Sequence, residues 1–248
     1  WSSDVCSSDL TNKHKRYHAF AHSNTMRYNK SMFIVPQCSF KDCQNPALSY
    51  YDATGKLRAH DSCTIHATNQ DEIKQSIYEY ISSHDKIVGL TANGISFTGL
   101  NFSGKRFYGC NFQNCDFLGI NGEQCRMRMC MFDFSVFSGC NFLSSNIQFS
   151  SFAGCSFSQV LFTGSDMILN NFTGINSYQT PFDDSDLYSS RFINAKLVDT
   201  SFRNCNIKQA MFIDIEQKNI SFRMSNTREA IFAKEGSQIT RDFEEVSL

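Results

Sequence analysis

Outside one long repetitive stretch, chemistry-bearing side chains gather in a single place, the segment "CSFKDCQNPALSYYDATGKLRAHDSCTIH". Cys38 and Cys43 are separated by four residues, Cys63 and His66 by two, and the loop between the pairs is 19 residues long. Thiolate and imidazole in two short pairs form a donor set for tetrahedral Zn²⁺, which takes four ligands from a chain that folds back on itself. Asn45, Pro46, Asp52 and Gly55 supply turn-forming residues inside the loop. His60 can replace His66 as the fourth ligand. The competing reading is four ordinary side chains in a reduced protein. Four protein ligands would leave no open coordination position, so zinc bound here would be structural.

Elsewhere the chemistry is thin. No glycine-rich phosphate loop precedes a helix, no nucleophile elbow is present, and His84 is the only histidine after the cassette. Asp183, Asp184 and Asp186 lie close in sequence, but on an outward face they read as solvated turn acids. His14, His18 and His22 would share a helix face within a basic segment that otherwise reads as a solvated tail. Arg203 and Arg223, with Lys208 and Arg228 on the adjacent row, would make a basic corner if residues twenty apart stack. Like charges at strand spacing repel, so such a corner suits an anionic partner or a solvated surface.

What must position these groups is a regular framework. From residue 97 to residue 232 a large apolar side chain returns every fifth position without a slip, and 18 of those 28 positions are Phe. The exceptions are few: Gly122, Ser177, Gln217 and Thr227 replace a large apolar side chain. A helix repeats its apolar face every 3.6 residues and a strand every two, so a period of five demands short cornered segments. Two residues before each centre the side chain is small, and seven of the eleven cysteines fall there. Those cysteines read as inward packing residues rather than disulfides, and so many free thiols suit a reducing compartment such as the cytoplasm. Gly or Asn is favoured two residues after the centre, where a turn is needed. Sorting the centres by twenties gives an all-Phe column (Phe112, Phe132, Phe152 and onward) and an aliphatic one (Met127, Ile147, Met167, Leu187). That sorting implies four units per coil.

The run "ISFTGLNFSGKRFYGCNFQNCDF" resembles the pentapeptide-repeat family, and the resemblance covers a little over half the chain. It implies an all-β fold, a right-handed quadrilateral β-helix of about seven coils, about 34 Å long at the usual strand spacing. It also implies a non-catalytic scaffold that presents flat faces to a protein partner. The segment from Cys38 to His66 in turn resembles small zinc cassettes of the treble-clef or knuckle type. Some members of the repeat family mimic DNA and bind a type II topoisomerase, which requires a densely anionic rod. Residues 95–234 carry 12 Lys plus Arg against 11 Asp plus Glu, so nucleic-acid mimicry is the disfavoured alternative. A homodimer, or the targeting part of a larger effector, stays open.

The expected organisation is a basic leader and tail over 1–30, of which "WSSDVCSSDL" reads as foreign to the fold. A Cys/His module follows over 31–68, then a capping helix and lead-in over 69–92, the β-helix over 93–234 and a second cap over 235–248. In the first cap, Ile73, Ile77 and Ile81 set an amphipathic helix over Asp71–Ser83. Ile87, Leu90 and Ala92 are expected to form an irregular turn into the first coil. Ile239 and Phe243 are expected to form the last cap. No run of eighteen apolar residues is present for a membrane-spanning helix.

Overall fold

A computed structural model describes residues 35–232, so the expected leader and C-terminal cap fall outside the described residues. The five-residue period becomes a four-sided β-solenoid. One side is a seven-stranded parallel sheet in which Phe97, Phe117, Phe137, Phe157, Ser177, Leu197 and Gln217 align in register. A second side begins with β3 (Lys86–Val88), β4 (Ser96–Thr98) belongs to the seven-stranded side, and β5 (Arg106–Tyr108) stacks on β3. The other two sides begin as rows of single bridges, Thr91 to Asn111 to Met131 and Asn101 to Asn121 to Asn141, and the first of them ends as a three-stranded parallel sheet of Arg191–Ile193, Met211–Ile213 and Ile231–Phe232. Every partner is twenty residues away, which is the four-unit coil expected from the sorting of residue types.

The turn preference has a stereochemical cause. From Phe97 to Phe222 the second residue after each centre is left-handed, with φ of 63° at Gly99 and 55° at Asn114, and that region is least costly for Gly and Asn. Inside, the rings stack column by column. Phe112, Phe132, Phe152, Phe172, Phe192 and Phe212 follow one another at centroid distances of 4.8 to 5.4 Å, with planes within 12°. Adjacent columns meet edge to face, as at Phe182 and Phe192 (87°).

The small inward positions do more than fill space. At several corners one backbone N–H lies outside the ladder, and a hydroxyl one coil further on accepts it: Cys115 N–H to Ser135 Oγ at 3.0 Å, Ser165 N–H to Ser185 Oγ at 3.0 Å. The same hydroxyls donate back to carbonyls, Ser135 Oγ to Phe112 O at 2.8 Å. Cysteine thiols imitate this, with Cys155 Sγ 2.9 Å from Phe132 O, and all the described cysteines are free.

One expectation is corrected. Ile87 and Ala92 are not an irregular turn but in-phase centres: Ile87 aligns with Phe107, and Thr91 bridges Asn111. Both are fully buried. The winding therefore begins at Lys86, where an aliphatic core residue does what Phe does later. The cap is α1 (Gln70–Ser83), one residue longer than expected, with Ile73, Ile77 and Ile81 buried. Tyr78 of α1 stacks on Phe97 at 5.6 Å. Its hydroxyl accepts the Thr98 N–H at 2.9 Å and donates to Ser96 O at 3.2 Å, satisfying the first exposed strand edge. Lys105 Nζ donates to Ser82 O and His84 O at 3.3 and 3.0 Å, covering carbonyls at the helix end.

Candidate metal centre

The cassette is built from a closed loop, a hairpin and a tight turn. Gln37 bridges Pro46, and Cys38 N–H donates to Asn45 O at 2.9 Å, so the chain between them closes as a loop. Within it, Cys43 N–H returns to Phe40 O at 3.1 Å, and Asp42 takes φ 62°. The hairpin β1 (Ser49–Tyr51) and β2 (Leu57–Ala59) turns on Asp52, whose carboxylate accepts N–H groups of Thr54 and Lys56 at 2.9 and 3.0 Å. These hydrogen bonds, that from the Thr54 hydroxyl foremost, hold the Asp52 carboxyl well below the usual carboxylate range. Beyond the hairpin, Ser39 N–H to Asp61 O (2.7 Å) and Leu48 N–H to Ser62 O (3.0 Å) lay the returning chain beside the first loop. A turn follows, with His66 N–H to Cys63 O at 3.1 Å.

This brings all four sequence-predicted ligand atoms within 4.8 Å of one another, a group able to hold a metal ion. His66 Nδ1 lies 3.4 Å from Cys38 Sγ and 3.5 Å from Cys63 Sγ, and the Cys43 and Cys63 sulfurs are 3.9 Å apart. His60 is left out: its Nδ1 accepts the Ser62 N–H at 3.1 Å and sits 3.0 Å from Asp61. Cys38 and Cys63 are buried. Burial pushes the Cys63 thiol up, but the amides of His66 and Ile65 and the thiols of Cys38 and Cys43 outweigh it and bring it to about 6. An anionic sulfur at this point is what a cation would meet.

Two supporting residues escaped the sequence reading. The Phe40 ring stacks on the His66 imidazole at 4.0 Å and 15°, fixing its plane, and Asn45 Nδ2 points at Cys63 Sγ at 3.9 Å. Phe40 lies inside the first ligand pair and Asn45 just after it, where the sequence marked only a turn former. The cassette is joined to the first coil: Ser49 N–H donates to Thr91 O at 2.7 Å, Thr91 N–H returns to Ser49 Oγ at 2.9 Å, and Thr64 Oγ1 donates to Asn93 O.

The basic corner is half neutralised. Arg203 donates to Asp183 Oδ2 through Nε at 2.9 Å and Nη2 at 2.6 Å, and Lys208 Nζ lies 2.7 Å from Glu229 Oε2. Burial alone would raise the Asp183 carboxyl, but the Arg203 guanidinium and amide reverse this and hold it below its ordinary value. Arg223 and Arg228 are exposed, and no carboxylate among the described residues pairs with either. The three neighbouring acids do not converge, since Asp184 accepts from Asn204 at 2.8 Å and Asp186 from Asn206 at 3.0 Å.

Fold and repeat define a class of four-sided β-solenoids wound from a five-residue unit. Residues 155–232 match the pentapeptide repeat region family, and residues 93–128 and 106–142 match the family of pentapeptide repeats (8 copies), together just over half the chain. The chain belongs to the pentapeptide-repeat family. Among solved structures it is similar to trypsin-treated QnrB1, a plasmid-mediated fluoroquinolone resistance protein (15% identity, 66% of this chain, 98% of that one, TM-score 0.40). It is also similar to HetL, a pentapeptide repeat protein involved in heterocyst differentiation regulation from the cyanobacterium Nostoc (12% identity, 66% of this chain, 98% of that one, TM-score 0.25). No curated protein matches the chain. No described helix is long and apolar enough to cross a membrane.

Proposed function

We propose that this chain is a non-catalytic scaffold of a reducing compartment, the cytoplasm, whose Cys38, Cys43, Cys63 and His66 hold a structural zinc ion. The observation that carries the zinc assignment is a match at three of the six ligand-to-ligand edges. Tetrahedral zinc with Zn–S of about 2.3 Å and Zn–N of about 2.0 Å sets S···S separations of about 3.8 Å and S···N separations of about 3.5 Å. The cassette has 3.9 Å between Cys43 and Cys63, and 3.4 and 3.5 Å from His66 to its two thiols. Three thiolates and one imidazole complete the shell, so bound zinc would cross-link the loop around Phe40 to the turn around Thr64 rather than activate water. Because that turn bonds to Asn93, the clamp would also fix the cap on the first coil.

The scaffold reading rests on the flat ladder faces and on the separate partners of Asp183, Asp184 and Asp186, which keep those acids from converging. Metal analysis of the purified full chain tests the zinc: about one equivalent is expected, and a sub-stoichiometric amount with every thiol reduced removes the proposal. A gel-shift titration with duplex DNA at low salt tests the scaffold against nucleic-acid binding, with no shift expected. A shift that disappears with salt would favour the other reading.

A further inference from the structure

Charge on the rod is balanced in sum, yet on one face it is separated along the axis. On the side that begins with β3, the outward residue before each centre forms a continuous ladder: Lys86, Arg106, Arg126, Asn146, Asp166 and Asp186. Three cations stand on successive coils, then an amide, then two acids. Strand spacing puts neighbours about 4.8 Å apart, so like charges repel at both ends of the ladder. Among the described residues none of these five charges is ion-paired; Asp166 is met by the Asn146 amide at 2.9 Å, and Asp186 by the Asn206 amide at 3.0 Å and the Tyr188 N–H at 2.9 Å, all of them neutral donors.

Along one edge of the same face runs a second oddity. Met129, Phe149 and Leu169, twenty residues apart, occupy left-handed turn positions (φ 54°, 55° and 58°) and are 48%, 52% and 42% exposed. Bulky residues are uncommon in that conformation, and here the position mostly holds Gly, Asn or Asp. An exposed apolar row beside unpaired charges marks a surface made to be covered.

We propose that this face binds a second copy of the chain, antiparallel, about a two-fold axis that crosses the rod at Asn146. The charge order selects this occupant and this direction. Rotation about an axis along the strand direction sets Arg126 against Asp166 of the other copy and Arg106 against its Asp186, each pair formed twice, while Asn146 meets its own mate. The same rotation keeps the apolar edges on one side, laying Phe149 on Phe149 and Met129 on Leu169. A parallel arrangement would instead stack Arg126 on Arg126. Facing sheets lie about 10 Å apart, a gap that an arginine and an aspartate span together. One narrow face lies at the small end of stable interfaces, so the association is reversible and weakened by salt.

The test is sedimentation velocity on the full chain with paired charge reversals. Wild type is expected to shift from the 28.2 kDa monomer toward twice that mass as concentration rises at low salt, and to return toward monomer at high salt. Arg126→Asp alone and Asp166→Arg alone are each expected to remain monomeric, because each homodimer would face like charges. An equimolar mixture of the two is expected to dimerise, since both contacts become complementary again. Far-ultraviolet dichroism checks that each exposed substitution keeps the solenoid. A wild type that is monomeric throughout, or single variants that dimerise as well as wild type, or a mixture that stays monomeric, overturns the proposal.

Discussion

Gly122 occupies a centre position where the repeat asks for a large apolar side chain, so pattern alone would recommend filling it. The structure predicts the opposite. A Cβ on Gly122 would stand 2.4 Å from Cδ1 and 2.5 Å from Cε1 of Phe142, whose ring has moved into the space and is 2% exposed. Phe142 is also stacked on Phe162 at 5.6 Å, so it cannot retreat without breaking that contact. Replacing a glycine of ordinary backbone conformation by alanine stabilises by about 0.4–1 kcal/mol through the unfolded chain. Forcing a methyl into a filled core costs about 1–3 kcal/mol. The second effect wins, and Gly122→Ala is expected to be destabilised by about 1–2 kcal/mol. Urea unfolding followed by far-ultraviolet dichroism would show a lower midpoint with an unchanged slope. In a Phe142→Leu background, where the ring is gone, the same substitution is expected to be neutral or stabilising, a coupling of about 1–3 kcal/mol. A Gly122→Ala midpoint at or above wild type would refute the argument.

The side chain of Gln217 buries an Oε1 without a partner among the described residues, beneath the fully buried Leu197. Gln217→Leu is therefore expected to raise stability by about 1–2 kcal/mol in the same unfolding assay. Cys63→Ala and His66→Ala are each expected to lose bound metal and accelerate proteolysis between residues 38 and 66, whereas His60→Ala keeps its metal; retention of zinc by His66→Ala would reassign the ligand. Burial pushes the thiols of Cys115, Cys125, Cys155 and Cys205 from 9.0 up to about 12. A raised folded pKa leaves stability intact below pH 9 and removes it as pH climbs from about 9 toward 12, because only the unfolded chain ionises there. Alkaline melts should fall in that window, less so for Cys155→Ala, and these thiols should resist iodoacetamide until the chain unfolds.

Most of the solenoid could be read because its core positions fall on one arithmetic step and its turn positions on another. What hid was whatever broke the chemistry without breaking the step. Ile87 and Ala92 are not aromatic, so they read as an irregular lead-in although Gly89 and Gly94 already mark the turns in phase, with φ of 66° and 73°. Gly122 looked like an interruption because sequence cannot show that Phe142 leans across from the next coil. Ser177 breaks the apolar series as well, and what compensates it lies a coil away, where its hydroxyl meets Thr200 Oγ1 at 3.0 Å. At the cassette, ligand spacing located the four donors and left His60 and His66 as alternatives. The decision lies in backbone bonds that ligand spacing does not show: Leu48 O accepts the His60 N–H at 2.7 Å and Ser62 N–H engages its ring, turning that histidine away. The basic corner shows the reverse failure, since Asp183 one coil before Arg203 was legible as a neighbour but was treated as a solvated acid.

A solenoid grows by adding coils, so each end is a template for another chain unless something stops it. At the first coil the stop is side-chain chemistry as much as bulk. Tyr78 supplies both an acceptor for Thr98 N–H and a donor for Ser96 O, replacing the strand that would otherwise pair there, while its ring covers Phe97. Tyr78→Phe keeps the ring and loses the two bonds, a cost of about 0.5–1.5 kcal/mol because water can reach the freed groups. Tyr78→Ala uncovers both the edge and the aromatic column. It is therefore expected to lose more stability than the phenylalanine variant and to form end-to-end species seen by light scattering, at high salt as well as low, because backbone pairing and apolar contact are little screened. If Tyr78→Ala showed no species larger than wild type and melted with it, the helix would be covering the end by its isoleucines alone, and the hydroxyl would have no part in guarding the edge.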